Sequence, residues 1–233
     1  MNFQKLETPS LKELFITELE TKILSGELPI GTKLPSEREL AASMQVSRAV
    51  VNSGISEMEK KGFLVVKPRV GTFVEDYRRN GTLDTLVSIM HFHGGNIGRK
   101  EVRSILELRI VLVNLAASLS VDQAGDEELQ SLVPLLHNIQ NSTTTDEVVE
   151  NTFRLYHELS YISGNMLLPL FFMSFRELVC PLWTRFVMNY GRDALVQRSE
   201  RFMELLLARK KEELLEHISQ SSKDSIDGAM PIY

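Results

Sequence analysis

Two observations predict a mainly α protein built in two parts. Between Leu34 and Val74, two short helical patterns separated by a tight turn lead into a β-branched hairpin. From Leu83 onward the apolar residues keep helical spacing and strand signals are absent. Helix, turn, helix and hairpin is the plan of a winged helix-turn-helix. In that plan the second helix enters the major groove of DNA, and the wing lies over the adjacent backbone or minor groove. The remainder is expected to be an all-α helical bundle.

The elements of the first part follow from local chemistry. Ser10 and Glu13 form a capping box, and Leu11, Leu14, Phe15, Leu19 and Ile23 continue with one apolar stripe to about Ser25. Gly26 and Pro29-Ile30-Gly31 end this helix, which should pack behind the helix-turn-helix. Ser36 with Glu39 makes a second capping box, followed by Leu40, Ala41 and Met44 on one face. Gln45-Val46-Ser47 has room only for a turn. Ser47 caps the next helix, which runs through Lys61 with Val50, Val51, Ile55 and Met58 as its apolar face. Gly62 stands where a helix ends in a left-handed residue. Phe63–Val66 and Thr72–Val74 are strands joined by the basic tip Lys67-Pro68-Arg69-Val70-Gly71.

Glu75 to Gly81 is polar and reads as a linker, in which Arg78 and Arg79 either touch DNA phosphates or are solvated. The expected organisation is 1–76 winged helix-turn-helix, 77–82 linker and 83–233 bundle. Helices are expected from Leu83 to about His91 and Arg99 to Ser120, and Asp126 is expected to cap a third that runs to about Asn138. Thr144 with Glu147 caps the next, which stops at Ser163-Gly164-Asn165. Met166 to Tyr190 follows, with Pro169 and Pro181 as candidate kinks, then Ala194 to Ala208 and Lys211 to Ser222.

The chain of 233 residues is long enough for two modest cores, and 43% hydrophobic with 24% charged residues is ordinary for a soluble protein. A single cysteine, Cys180, excludes an internal disulfide framework and fits a reducing cytosol; set among apolar neighbours, it reads as an inert buried thiol. The start MNFQKLETPS lacks a signal-peptide pattern. Arg176, Glu177 and Arg185 interrupt the apolar run from Met166 to Val187, which suits a buried helix better than a bilayer span. A cytoplasmic protein is expected. The net charge of −5 argues against indiscriminate coating of nucleic acid. Yet Gly31 to Val70 holds seven basic and four acidic residues, a local excess that suits one DNA-facing surface.

The words PSERELA, VSR and GTFV, in this order and spacing, resemble the amino-terminal domain of the GntR family of bacterial transcription regulators across roughly Leu11 to Val74. A winged helix used only for protein interaction is the alternative. With the local positive charge, the resemblance makes Ser36, Arg38, Ser47, Arg48, Asn52, Lys60, Lys67, Arg69, Gly71 and Thr72 the candidate DNA contacts. Lys60, Lys67 and Arg69 are candidates for phosphates. Arg48 and Asn52, four apart near a helix start, are candidates for base edges. The family's recognition helix commonly reads S-R-x-x-V-R-E-A-L. Here Asn52 replaces the second Arg and Gly54 replaces Ala, which suggests an adenine in place of a guanine and a close helix contact; the alternative for Asn52 is a bond to phosphate or little contribution.

A winged helix followed by an all-α bundle resembles the FadR subfamily. The words Leu108-Arg109 and His157-Glu158-Leu159-Ser160-Tyr161-Ile162-Ser163-Gly164-Asn165 carry that likeness. Many such bundles hold a divalent metal with one Asp and three His, the Asp four residues before the first His. This chain keeps His157 but has Phe153 at the Asp position. Gln197-Arg198-Ser199 stands where the second His belongs, and His217 is the one candidate for the last. A metal site needs more ligands than that, so no metal and no cofactor is expected. His91 and His93 do not share a helix face. Other members of the subfamily bind acyl-CoA thioesters with an Arg matching Arg109, whose partner here is either a protein carboxylate or an anionic ligand. Tyr156, His157, Tyr161, Asn165 and Arg185 are the further effector-pocket candidates, with core packing as the alternative for the aromatics. The function expected is a homodimeric regulator binding operator DNA under control of a carboxylate or acyl-CoA type effector. The alternative is an acyl-CoA or carboxylate enzyme retaining a winged helix as scaffold. The chain offers no phosphate loop or nucleophile elbow, and it is read as no enzyme.

Overall fold

A computed structural model describes residues 9–92 and 98–233. It shows a mainly α protein with one small β-hairpin. Helix α1 (Leu11–Leu24) begins at Ser10, whose hydroxyl accepts from the Glu13 amide at 3.2 Å while Glu13 accepts from the Ser10 amide at 2.7 Å. Helix α2 (Glu37–Ser43) starts at the same device built from Ser36 and Glu39. Helix α3 (Arg48–Lys60) is capped by Ser47. The turn between α2 and α3 carries Gln45 at φ 53. Strands β1 (Leu64–Lys67) and β2 (Gly71–Val74) pair antiparallel with Leu64 opposite Val74 and Lys67 opposite Gly71. Phe15, Leu34, Leu40, Val51, Ile55, Met58 and Phe63 form the core between them.

The wing has a third edge that the sequence does not announce. Val74 donates to the Thr32 carbonyl at 2.9 Å and Leu34 to Thr72 at 2.8 Å, with a bridge between Lys33 and Phe73. Three paired residues are too few to show a period of two. Gly54 sits where α1 and α3 meet: a Cβ there would lie 2.3 and 2.6 Å from ring atoms of Phe15. The missing side chain is what lets the Phe15 ring reach the α3 backbone.

Lys61 does not belong to the basic surface. Its ammonium lies 3.0 Å from Glu20 and 3.3 Å from Ser88, and Ser88 also donates to Glu20 at 2.8 Å. The Thr85 hydroxyl donates to the Lys61 carbonyl. These bonds join α1, the end of α3 and helix α5 (Leu83–Phe92). The stretch expected as linker contains a short helix, α4 (Tyr77–Asn80), and the Tyr77 ring packs 5.4 Å from Phe63. The two compact units of the chain are Met1–Asn96 and Ile97–Tyr233, so α5 goes with the first of them rather than with the bundle. His91 falls in α5, while His93 and the first eight residues lie outside the described residues.

The second unit is all helix: α6 (Arg99–Gln123), α7 (Asp126–Gln130), α8 (Val133–Asn141), α9 (Thr145–Ile162), α10 (Leu168–Tyr190), α11 (Arg192–Leu207) and α12 (Lys211–Ile226). The single helix expected from Asp126 is two pieces broken at Ser131-Leu132, with Pro134 in the first turn of α8 where its missing N–H costs nothing. Gly125, rather than Asp126, takes the cap position, and its amide donates to Glu128 at 2.8 Å. Pro169 opens α10 in the same way, and Pro181 lies inside it. Helix α6 packs along α12, and α9 along α8 and α10. Val102, Val113, Ala116, Leu155, Leu159, Leu178, Phe202 and Leu214 are fully or almost fully buried. By length and composition α6 could cross a membrane; in the bundle it buries one face and leaves Leu108, Val111 and Leu115 exposed on another.

Candidate nucleic-acid interface and bundle cavity

An open groove runs between the start of α2, the start of α3 and the wing. Lys33, Ser36, Glu37, Arg38, Arg48, Lys67, Arg69, Gly71 and Thr72 line it. Each element delivers its residues for a local reason. The Ser36 cap starts α2 so that Arg38 falls on its exposed first turn, and the Ser47 cap does the same for Arg48. Lys67 and Gly71 pair at the end of the hairpin, with Pro68-Arg69-Val70 as the turn beyond them. Val70 donates back to Lys67 at 3.0 Å, and Arg69 has φ 64. That is the geometry of a type II turn, with Pro at its second position and Arg where Gly is usual. The ammonium groups of Lys33 and Lys67 flank the Phe73 ring at 6.0 and 4.9 Å. Lys33, one of the basic residues of this stretch, was not among the expected contacts; only the third edge of the wing brings it here.

Ser36 and Ser47 are helix caps, so their hydroxyls are engaged with Glu39 and Val50. Lys60 is exposed at the far end of α3, about 18 Å along the axis from Arg48 by helix rise, and is not among the residues lining the groove. Asn52 is exposed one turn after Arg48. With its amide set to donate, its nitrogen lies 2.5 and 2.6 Å from the two carboxylate oxygens of Glu37.

In the bundle, a cavity of about 40 Å³ lies among α6, α9, α10, α11 and α12. Arg109 and Arg198 face it, with Ser199, Ser221, Ser222, Ser225 and His217 around them. Arg109 donates to Ser222 at 3.1 Å, and its guanidinium lies 5.0 Å from the Tyr156 ring and 5.1 Å from the Trp183 ring. Arg198 donates to Ser225 at 3.0 Å and lies 4.1 Å from the Phe186 ring. Burial, and then the like charge of Arg109, hold Arg198 below the usual guanidinium range, and Asp224 opposes them. Burial likewise lowers His217, whose ring sits 3.2 Å from the Arg198 carbonyl. The last residues close this side of the bundle: Arg185 donates to the Ile232 carbonyl, Tyr190 to that of Pro231, and Ile232 lines the cavity.

Of the expected pocket residues, Arg109 and Tyr156 meet at this cavity, and both also border a second one of about 20 Å³ toward Phe153 and Phe172. His157 lines neither and stacks 5.9 Å from Phe153. Tyr161 is 69% exposed. Asn165 is the amino-terminal anchor of α10, accepting from the amides of Leu167 and Leu168. Arg185 holds the tail. Arg198 and the serines of α12 were not foreseen, since nothing local marks a cavity-facing Arg on an amphipathic helix. The metal that the FadR resemblance implies does not fit these residues: Phe153 offers no ligand atom, and among the described residues no group of three His, Cys, Asp or Glu could hold an ion. Burial pushes the Cys180 thiol up to about 11, leaving it protonated and unreactive at neutral pH.

Residues 12–74 match the family model described as bacterial regulatory proteins, gntR family. The chain is 33% identical over 147 residues to the HTH-type transcriptional regulator Mce2R of Mycobacterium tuberculosis, covering 63% of this chain and 59% of that protein. It is 28% identical over 147 residues to the HTH-type transcriptional regulator LutR of Bacillus subtilis, covering 63% and 65%. It thus spans less than two thirds of the length of these relatives. The solved structure of Lar, a protein described as controlling expression of the Listeria monocytogenes agr system, shares the fold. The TM-score is 0.62 at 17% identity, over 96% of this chain and 98% of that one. Residues 12–74 thus fold as a winged helix-turn-helix and are similar to the DNA-binding domain of the gntR type.

Proposed function

We propose that this protein is a cytoplasmic, site-specific DNA-binding transcription regulator of the FadR kind, acting as a homodimer under control of a small anionic effector. The observation that carries the first part is the groove in which Arg38, Arg48, Lys67 and Arg69 converge beside the exposed start of α3. Cations on three elements neutralise phosphates on both sides of a helix that reads bases. A single helix-turn-helix reads one half-site, and a dimer supplies the second. Leu108, Val111 and Leu115 give α6 an exposed apolar stripe suited to such pairing.

The effector reading rests on the cavity. Arg109 and Arg198 face it, and their hydrogen bonds go to serine hydroxyls and, for Arg198, the Met230 sulfur rather than to carboxylates. Two guanidiniums held this way are complementary to a carboxylate or phosphate. The present volume admits a few atoms, which favours a small carboxylate over a long acyl chain. An effector that binds one arrangement of the protein better changes operator affinity by that difference.

The test is titration of a duplex enriched from random DNA, followed by fluorescence anisotropy at several salt concentrations. Lys67→Ala should weaken binding to all sequences alike and reduce the salt slope by about one. Arg48→Ala should relax sequence preference at the base pair that Arg48 reads. If both variants bind like the wild type, the groove is not the DNA interface.

A further inference from the structure

Asn52 stands on the exposed face of α3, one turn beyond Arg48, where a recognition helix meets base edges. Glu37, the first residue of α2, reaches across to it, and with the Asn52 amide set to donate both carboxylate oxygens lie within 2.6 Å of its nitrogen. An ionised carboxylate only accepts hydrogen bonds, so this contact holds only while the nitrogen faces Glu37. Turning the amide over would set Oδ1 against the carboxylate. A free asparagine can offer a base either edge of its amide; this one cannot.

We propose that Glu37 is a specificity-determining residue which, by pinning the Asn52 amide, makes the pair select adenine and reject guanine at one position of each half-site. With the nitrogen turned to Glu37, Oδ1 is presented outward and one N–H remains beside it. Adenine offers the N6 amino group to that oxygen and N7 to that N–H. Guanine offers O6 and N7, both acceptors, so its O6 meets Oδ1. Thymine O4 meets the same repulsion. Cytosine offers an N4 donor but no acceptor next to it. Glu37 touches no base in this arrangement and acts as a positioning residue for Asn52. The inference rests on the DNA-binding reading above.

The experiment is selection from a random duplex pool with the full chain as wild type, Asn52→Ala and Glu37→Gln. Asn52→Ala locates the position by making it degenerate. At that position the wild type should recover adenine. Glu37→Gln, which can donate as well as accept and so releases the amide, should keep the rest of the motif and lower the adenine-to-guanine ratio about tenfold, within the range of one base contact. An unchanged ratio in Glu37→Gln, or guanine recovered by the wild type, overturns the proposal. A Glu37→Gln protein that melts like the wild type but recovers no motif also overturns it, because Glu37 would then govern affinity and not base choice. Should that variant unfold, Glu37→Asp keeps the charge, shortens the reach and must shift the same ratio; no shift is a failure. A wild type that enriches no sequence brings down the DNA-binding reading itself, and this inference with it.

Discussion

Arg69 is held at φ 64 at the tip of the wing, a conformation that costs a side chain with Cβ about 1–2 kcal/mol. Arg69→Gly relieves that cost and should raise the stability of the protein by about 1 kcal/mol in denaturant melts. It should also weaken DNA binding and reduce its salt slope by about one. Equal DNA affinity in the variant would mean that the wing does not reach phosphate. At position 52, Asn52→Arg should move the preference at one base pair from adenine to guanine by about 1–3 kcal/mol, read by competition between duplexes differing at that pair. No change there would take Asn52 out of base reading. Residue roles set by short spacing were legible: Ser10, Ser36 and Thr144 each have Glu three residues on, and each is a helix cap in the structure. Roles set by tertiary contact were not. Glu37 and Asn52 lie on different helices, and Lys61 looked like any basic residue until Glu20 and Ser88 were seen around it.

Among elements, α1 and α3 meet at Gly54 with no space for a methyl group. Helix propensity alone favours Gly54→Ala by about 1 kcal/mol. Overpacking against the Phe15 ring costs about 1–3 kcal/mol. The variant should therefore be less stable than the wild type by up to about 2 kcal/mol in a urea melt followed by helical signal. A higher midpoint would show that the ring moves aside freely. The departure from Ala was visible in the sequence as a glycine inside a helical pattern, and close packing was the physical reason available for it. Long helices were legible from their apolar period. The break between α7 and α8, the short α4 and the strand-like edge at Thr32–Leu34 were not, because each is too brief for a period to emerge.

In the molecule as a whole, the chain has two cores, one built around a cation-lined groove and the other around a cavity faced by two arginines. Arg109→Ala should abolish the effect of a bound anion on DNA binding while leaving binding by the ligand-free protein intact, measured by anisotropy with and without the anion recovered by mass spectrometry from the purified protein. Loss of fold in that variant would make Arg109 a structural partner of Tyr156 and Trp183 instead. Everything proposed for the groove depends on its reading DNA as one half of a symmetric pair. Hydroxyl-radical footprinting on a duplex selected from random DNA examines that pairing without any variant. Two protected half-sites related by two-fold symmetry should appear, their centres one helical turn or a multiple of it apart, about 10–10.5 base pairs per turn. Protection without symmetry, or no selectable duplex at all, would contradict it.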